Sequence, residues 1–242
     1  DYSGSAEVGF YSVGNRFVLP ITIVVATGLR AIFPFMTKLF QEDKEKFKDM
    51  LTRSFKLVLI LGSTIAMLLT ISSGILIPFF FGIEYSNSVL AFNYQAWFGV
   101  LLCFDLVLST VLSSTYKQKV LAIITTIDIL IIFPLMYYGV KYGAEGMAMA
   151  KLIGSFVVVC YHIIVVVMVL KVKLNSFSFF FSFIYFISFL VITVFISDIV
   201  IKTALICTTI LLFMIYKESP LRQLIQLVSQ RISNQNSNKI QR

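Results

Sequence analysis

Two carboxylates and one imidazole stand inside apolar stretches of this sequence: Asp105, Asp128 and His162. Ionisable side chains at membrane depth are costly, so they usually face a bundle interior and often serve transport or proton transfer. Asp105 lies 12 residues before Lys117, and Asp128 lies 11 residues after it. A helical hairpin that turns at Lys117, with a rise of about 1.5 Å per residue, places both acids about 17 Å from the turn. We therefore expect the two acids at one depth.

Two acids at one depth allow three arrangements. They could share a proton, bracket a cation, or pair with Arg30, which lies eight residues before Lys38. A fixed charge pair that only holds the helices together is the structural alternative for both acids. His162 titrates in a range that suits a proton relay. A hydrogen bond to a neighbouring helix is the alternative role for His162.

Arginines in the first apolar stretch, residues 9–40, are candidates for binding an anion. Arg16, with Asn15 beside it, and Arg30 occupy this stretch together with two prolines. The 14-residue separation of the arginines rotates them by about 40° at about 100° per residue, so both could face one cavity. The alternative is that each arginine snorkels to a membrane surface. We predict that this helix lines an aqueous path, with Asn15, Arg16 and Arg30 as substrate-path candidates.

The elements that position these residues must be membrane helices. Hydrophobic residues make up 58% of the 242, there are 24 Phe, and only 13% of residues are charged. A soluble core could not absorb this apolar content, so the sequence predicts an all-α, polytopic transmembrane bundle. Cys103, Cys160 and Cys207 lie singly in apolar runs, which argues against a disulfide framework and a metal site.

About seven spans are predicted from the apolar runs. Residues 1–8 form an external polar lead, residues 41–53 an interfacial connector, and residues 217–242 a cytoplasmic tail that opens with an interfacial helix. The transmembrane domain, residues 9–216, has spans at about residues 9–40, 55–80, 89–114, 120–138, 147–170, 177–197 and 199–216.

The distribution of basic residues predicts the orientation. With these spans, 15 of the 20 Lys and Arg fall on one side. That side is cytoplasmic by the positive-inside rule, so the formal charge of +8 reports topology and does not indicate nucleic acid as a partner. The chain starts at Asp1 without a signal pattern, so we expect further helices upstream in a longer protein.

Enzyme motifs are not found in the sequence. It has no G-x-S-x-G, no H-E-x-x-H and no phosphate-binding glycine loop, and its longest polar connector is residues 41–53. The sequence therefore predicts a protein that is not an enzyme and that has no cofactor.

Several segments, in their order and spacing, resemble one transporter family. They are SAEVGFYSVGNRF (5–17) with LRAIFP (29–34), PFFFGIEYSNSVLAF (78–92) and YGAEGMAMA (142–150). Together they resemble the second half of polysaccharide transporters, the O-antigen flippases of the multidrug/oligosaccharidyl-lipid/polysaccharide flippase superfamily. The resemblance covers roughly residues 5–150.

This resemblance implies a multi-pass protein of the bacterial inner membrane. The chain would form the second lobe of a transporter plus two extra helices, and would flip undecaprenyl-diphosphate-linked oligosaccharide units for O-antigen and lipopolysaccharide synthesis. Its partners would be that substrate, membrane lipids, a polysaccharide polymerase and a chain-length regulator. A drug or cation antiporter of the same superfamily, using Asp105 and Asp128, is the main alternative. A membrane polysaccharide polymerase or ligase is a further alternative, although it usually needs a larger outer loop.

Overall fold

Five long helices form the larger of two units into which the chain divides, Asp1–Ser182 and Phe183–Arg242. The computed structural model describes residues 4–171, 183–184, 186–188 and 190–192. All elements of this described part are helical, which confirms the all-α prediction. The long helices are α1 (Ser5–Glu42), α2 (Lys44–Phe81), α3 (Val89–Ser114), α4 (Gln118–Gly139) and α5 (Gly143–Leu170). Short 3₁₀ segments, Ile83–Ser88 and Val140–Tyr142, precede α3 and α5.

Four helical segments in this part are long and apolar enough to cross a membrane. They are Ser5–Glu42, Lys44–Phe81, Ile83–Ser114 and Gln118–Leu170. The last segment contains both α4 and α5, and it is folded back on itself, since the Tyr161 hydroxyl lies 2.8 Å from the Ile124 carbonyl oxygen. Its arms of 22 and 28 residues are about 33 and 42 Å long, each enough to span a hydrocarbon core.

The predicted count of about seven spans is not confirmed. The predicted span 177–197 falls only partly within the described residues, where 183–184, 186–188 and 190–192 are helical. The predicted span 199–216 and the tail 217–242 lie outside the described residues. Within the second unit, the rings of Phe183 and Phe186 stack with centroids 6.3 Å apart.

The predicted boundaries of the first two spans need correction. Residues 5–8, predicted as part of an external lead, belong to α1, and residues 41–53 are not a separate connector, because α1 and α2 meet at one residue, Asp43. The Asp43 carboxylate accepts a hydrogen bond of 3.0 Å from the Lys46 backbone N–H, as an N-cap does. That hydrogen bond holds the pKa of Asp43 below its ordinary value. Most of the charged segment therefore forms the first turns of α2, and α2 is a helix separate from α1.

Helix α3 is the centre of the bundle. It packs against α1, α2 and α5, and α5 in turn packs against α4. Phe55 of α2 stacks on Phe104 of α3 with ring centroids 4.8 Å apart, and Val13, Ile77 and Phe92 join α1, α2 and α3 in one buried cluster. The position of α3 between its neighbours buries most side chains of its middle turns.

Helices α4 and α5 approach closely through small residues. A Cβ atom at Gly139 would lie 2.6 Å from the Gly146 carbonyl oxygen and 2.7 Å from the Ala150 Cβ. Close contact through glycine and alanine is typical of membrane helices, where packing of backbones replaces the hydrophobic effect. This contact brings the inner faces of α4 and α5 together.

Candidate functional site

One imidazole bridges two carboxylates from different helices. Asp105 comes from α3, Asp128 from α4 and His162 from α5. His162 Nδ1 lies 2.6 Å from Asp105 Oδ1, and His162 Nε2 lies 3.1 Å from Asp128 Oδ1. We call these three residues, with Tyr161, the acid–histidine cluster.

Tyr161 is the member of the cluster that the sequence analysis missed. Its hydroxyl donates to the Asp128 carboxylate, and it also lies 3.0 Å from His162 Nε2 and 2.8 Å from the Ile124 carbonyl oxygen. A tyrosine hydroxyl carries one proton, so the Asp128 carboxylate and the Ile124 carbonyl oxygen compete for it. The available signal was a tyrosine beside a histidine in an apolar run, because a buried tyrosine hydroxyl usually needs a partner.

The cluster is largely shielded from solvent. The exposed fraction of the side chain is 2% for His162, 13% for Asp128 and 27% for Asp105. Removing charges from water costs several kcal/mol per ion, and close pairing with hydrogen bonds offsets that cost. The three ionisable groups are therefore energetically dependent on one another.

The geometry defines how many protons complete the cluster. Both ring nitrogens of His162 face carboxylate oxygens. A neutral imidazole has only one N–H and would point a lone pair at one carboxylate, whereas an imidazolium donates to both. The complete set of hydrogen bonds thus needs one proton more than neutral histidine with two ionised acids.

Of the three arrangements predicted for the acids, pairing with Arg30 is not seen in the described part of the chain. His162 lies between the two acids instead, which the sequence analysis did not predict. Among the described residues, no group of three or more His, Cys, Asp or Glu side chains is arranged to hold a metal ion. The acids and His162 instead satisfy one another directly.

The arginine candidates lie elsewhere. Arg16 and Arg30 are both exposed on α1, and Asn15 beside Arg16 is half-buried. Arg16 lies over the Phe81 ring, with its Cζ 5.5 Å from the ring centroid. Neither arginine forms an ion pair with any residue that the structure describes. The structure therefore does not bring the arginines into the acid–histidine cluster.

A second ionisable side chain inside α5, Lys151, was not selected as a site candidate from the sequence. Its Nζ lies 3.2 Å from the Tyr11 hydroxyl, 4.3 Å from the centroid of the Phe98 ring and 5.8 Å from that of Tyr11. Aromatic faces and a hydroxyl are suitable neighbours for a partly buried ammonium group. Lys151 thus links α1, α3 and α5 about 16 Å along the axis of α5 from His162.

The motif segments that suggested the family meet one another at the other end of α5. Glu7 Oε2 accepts a hydrogen bond of 2.7 Å from the Ala144 backbone N–H. Gly143 has a φ of 73°, and a Cβ atom there would lie 2.6 Å from Glu7 Oε2. Only glycine suits both the backbone conformation and the contact. Gly143 and Ala144 of YGAEG therefore pack directly against Glu7 of SAEVG.

A similar fit joins α1 to α3. A Cβ atom on Gly14 would lie 2.1 Å from Gln95 Oε1, and Gln95 Nε2 donates a hydrogen bond of 2.8 Å to the Tyr11 carbonyl oxygen. Gln95 is fully buried, so it has little room to move. Tyr11 and Gly14 of the first motif segment thus hold α1 against Gln95 of α3, and they do not contribute to the acid–histidine cluster.

Comparison with known proteins agrees with the motif segments in part. A family model described as "Polysaccharide biosynthesis protein" matches residues 1–90. This range contains α1, α2 and the beginning of α3. No curated protein and no solved structure matches the chain. The first part of the chain is thus similar to a polysaccharide biosynthesis family, which is consistent with a role in polysaccharide biosynthesis at a membrane.

Proposed function

We propose that this chain is part of a transporter that flips undecaprenyl-diphosphate-linked oligosaccharide, such as O-antigen units, across the bacterial inner membrane. The acid–histidine cluster is the site at which proton uptake and release change the packing of α3, α4 and α5. The protein acts as a transporter and not as an enzyme.

The observation that carries this proposal is the bridging of Asp105 and Asp128 by His162 inside helices of membrane-spanning length. Ionisable groups at such a position commonly form proton relays in pumps and transporters. Loss of the bridging proton leaves an N-lone pair facing a carboxylate, which weakens the contact between α5 and its neighbours. A change of protonation can therefore bias the relative positions of these helices.

The substrate class is supported by two other features. The family similarity of residues 1–90 points to polysaccharide biosynthesis. Arg16 and Arg30 stand exposed within the apolar part of α1, and a guanidinium can bind a diphosphate in a bidentate manner. We assign them, with Asn15, to the substrate path.

The wider setting follows from the same proposal. The basic loops and the carboxyl tail face the cytoplasm, and the substrate arrives from a cytoplasmic assembly reaction. Once flipped, the oligosaccharide is passed to a polymerase whose product length is set by a chain-length regulator. These partners act on the substrate on the outer side of the membrane.

The experiment compares Asp105→Asn and Asp128→Asn in cells that need the complete protein for surface polysaccharide. We expect surface polysaccharide to fall strongly and the lipid-linked intermediate to accumulate in the inner leaflet, with normal amounts of protein in the membrane. Asp49→Asn is the matched control, because Asp49 is exposed and pairs only with Arg53, at 4.0 Å, among the described residues.

Three results would count against the proposal. Unchanged polysaccharide in both variants would remove the cluster from the transport mechanism. Loss of the protein from the membrane would give the acids a purely structural role. Export of a small organic cation that depends on Asp105 and Asp128, with unchanged polysaccharide, would favour the antiporter alternative.

A further inference from the structure

The ends of four helices border one open cavity in the larger unit. Its walls come from the end of α1, the first turns of α2, the turn between α3 and α4, and the end of α5. The cavity has a volume of about 550 Å³, which lies within the range of pockets that hold small ligands. We call this cavity the basic cleft, because four lysines line it: Lys44, Lys48, Lys117 and Lys171.

The positive charge of the basic cleft is only partly balanced. Glu45 is the acid among the described lining residues, and it lies 3.8 Å from Lys48 with its side chain 88% exposed. Such an exposed pair contributes little. Lys44, Lys117 and Lys171 form no ion pair with a carboxylate in the part of the chain that the structure describes. Several like charges around one cavity repel one another, so an anion in the cavity would be stabilised.

The remaining wall of the cleft is apolar. Phe40 and Phe47 contact each other edge to face, with ring centroids 5.3 Å apart, and Val169 and Leu170 contribute aliphatic surface. A ligand that fits this lining has a compact anionic group and an apolar part attached to it. The headgroup of a phospholipid, with the beginning of its chains, has this chemistry.

We propose that the basic cleft binds the phosphate-bearing headgroup of an anionic membrane lipid. Lysine ammonium groups bind phosphate as point charges, and basic residues beside membrane helices attract anionic lipids. The cleft lies at lysine-rich helix ends, which the predicted topology places at the cytoplasmic surface of the membrane. This inference goes beyond the transport proposal, because it holds for a lipid that stays in its leaflet and is not transported.

The simplest other explanation for the lysines is topological. Lysines beside membrane helices set orientation through the positive-inside rule, without any bound ligand. In that case a lysine that lines the cleft and a lysine elsewhere on the same side of the membrane should contribute equally to lipid binding. A comparison of lysines inside and outside the cleft separates the two explanations.

The experiment uses the purified full chain and phosphatidylcholine vesicles with and without phosphatidylglycerol. Binding of phosphatidylglycerol is measured by native mass spectrometry and by quenching of a labelled lipid. The test variant is Lys44→Gln/Lys117→Gln. The control variant is Lys38→Gln/Lys119→Gln, which removes the same charge near the same helix ends but does not alter the cleft lining.

We expect the test variant to bind phosphatidylglycerol at least about tenfold more weakly, since loss of one charge-assisted contact has about this effect, and the control variant to bind as the unmodified chain does. Inorganic pyrophosphate should displace the lipid from the unmodified chain, a result that requires no variant. Lys44→Arg/Lys117→Arg should retain binding.

Equal weakening in the test and control variants would overturn the proposal and favour diffuse surface charge. Binding of pyrophosphate without any preference for phosphatidylglycerol would overturn the assignment to a lipid and indicate a free phosphate compound. Neither result bears on export, so the proposal can fail while the transport proposal stands.

Discussion

The two halves of the five-helix unit carry their charged groups in opposite ways. Helices α1 and α2 lie in the part that is similar to a polysaccharide biosynthesis family, and the arginines within the apolar part of α1 are exposed. Helices α3 to α5 lie almost entirely beyond that similarity, and three of their ionisable groups, Asp105, Asp128 and His162, are largely shielded and bonded to one another. The comparison thus distinguishes charged side chains that pair with each other inside the unit from arginines that form no ion pair among the described residues.

This difference has a physical consequence for each set. Removing His162 leaves two shielded carboxylates without their common partner, so stability should fall, whereas Asp→Asn keeps the side-chain volume and a hydrogen-bonding group and should cost much less. Removing Arg16 or Arg30 breaks no ion pair among the described residues, so stability should be nearly unchanged. Function and stability should therefore separate on α1 and be coupled most strongly at His162 of α5.

The largest expected effect on stability is that of His162→Leu. It leaves two carboxylates without the imidazole between them, and we expect a loss of about 3–5 kcal/mol in the free energy of unfolding. Unfolding in detergent micelles measures this value. Adding Asp105→Asn and Asp128→Asn to His162→Leu should recover much of the loss, because no shielded charge remains. A loss below about 1 kcal/mol, typical of one ordinary hydrogen bond, would show that the three groups are not coupled.

A smaller effect is expected on the packed face of α1. Gly14→Ala places a Cβ atom 2.1 Å from Gln95 Oε1, and overpacking of this kind costs about 1–3 kcal/mol. Gly28→Ala is the control on the same helix, because nothing lies within 4 Å of its Cβ position. We expect it to leave the free energy of unfolding unchanged or to raise it by up to about 1 kcal/mol, because alanine is the better helix former. Equal effects of the two substitutions would contradict the close approach of α1 to α3.

The smallest expected effect on stability is that of Arg30→Ala, which should lie within about 0.5 kcal/mol of zero. In the complete transporter this variant should lose most export, whereas Arg30→Lys should retain part of it, because lysine keeps the charge but loses the bidentate geometry. Flux of the lipid-linked substrate is measured at matched protein levels, with Arg53→Ala as an exposed control. Full export by Arg30→Ala would mean that the arginine only snorkels to the membrane surface.

One predicted span has the bounds of a helix in the structure, whereas the span predicted from residue 147 begins earlier, at Gly143. The predicted span 89–114 has the bounds of α3, Val89–Ser114, since glycine, asparagine and serine residues precede it and a polar turn follows it. The segment 41–53 was interpreted as an interfacial connector between two spans, because it is strongly charged and its apolar residues have helical spacing. Lysine and glutamate are good helix formers, and pairs such as Lys48 with Glu45, 3.8 Å apart, allow the chain to continue as α2.

The sequence predicted that the two acids lie at one depth in the membrane, but not which side chains they contact. Counting residues from Lys117 places Asp105 and Asp128 at one level, and both contact the same imidazole in the structure. The rotation of each helix about its axis decides which groups face each other. Helices that are apolar on nearly all sides offer no hydrophobic stripe from which that rotation can be read. The choice of His162 over Arg30, and the contribution of Tyr161, therefore required the structure.

The central claim is that Asp105, His162 and Asp128 act as one proton-holding unit. The chain contains 1 His, so ¹⁵N labelling of histidine, in protein purified without a histidine tag, reports on His162 alone. We predict NMR resonances of an imidazolium with N–H groups on both nitrogens, with Asp105→Asn shifting mainly Nδ1 and Asp128→Asn shifting mainly Nε2. Resonances of a neutral imidazole that respond to neither substitution would contradict the claim.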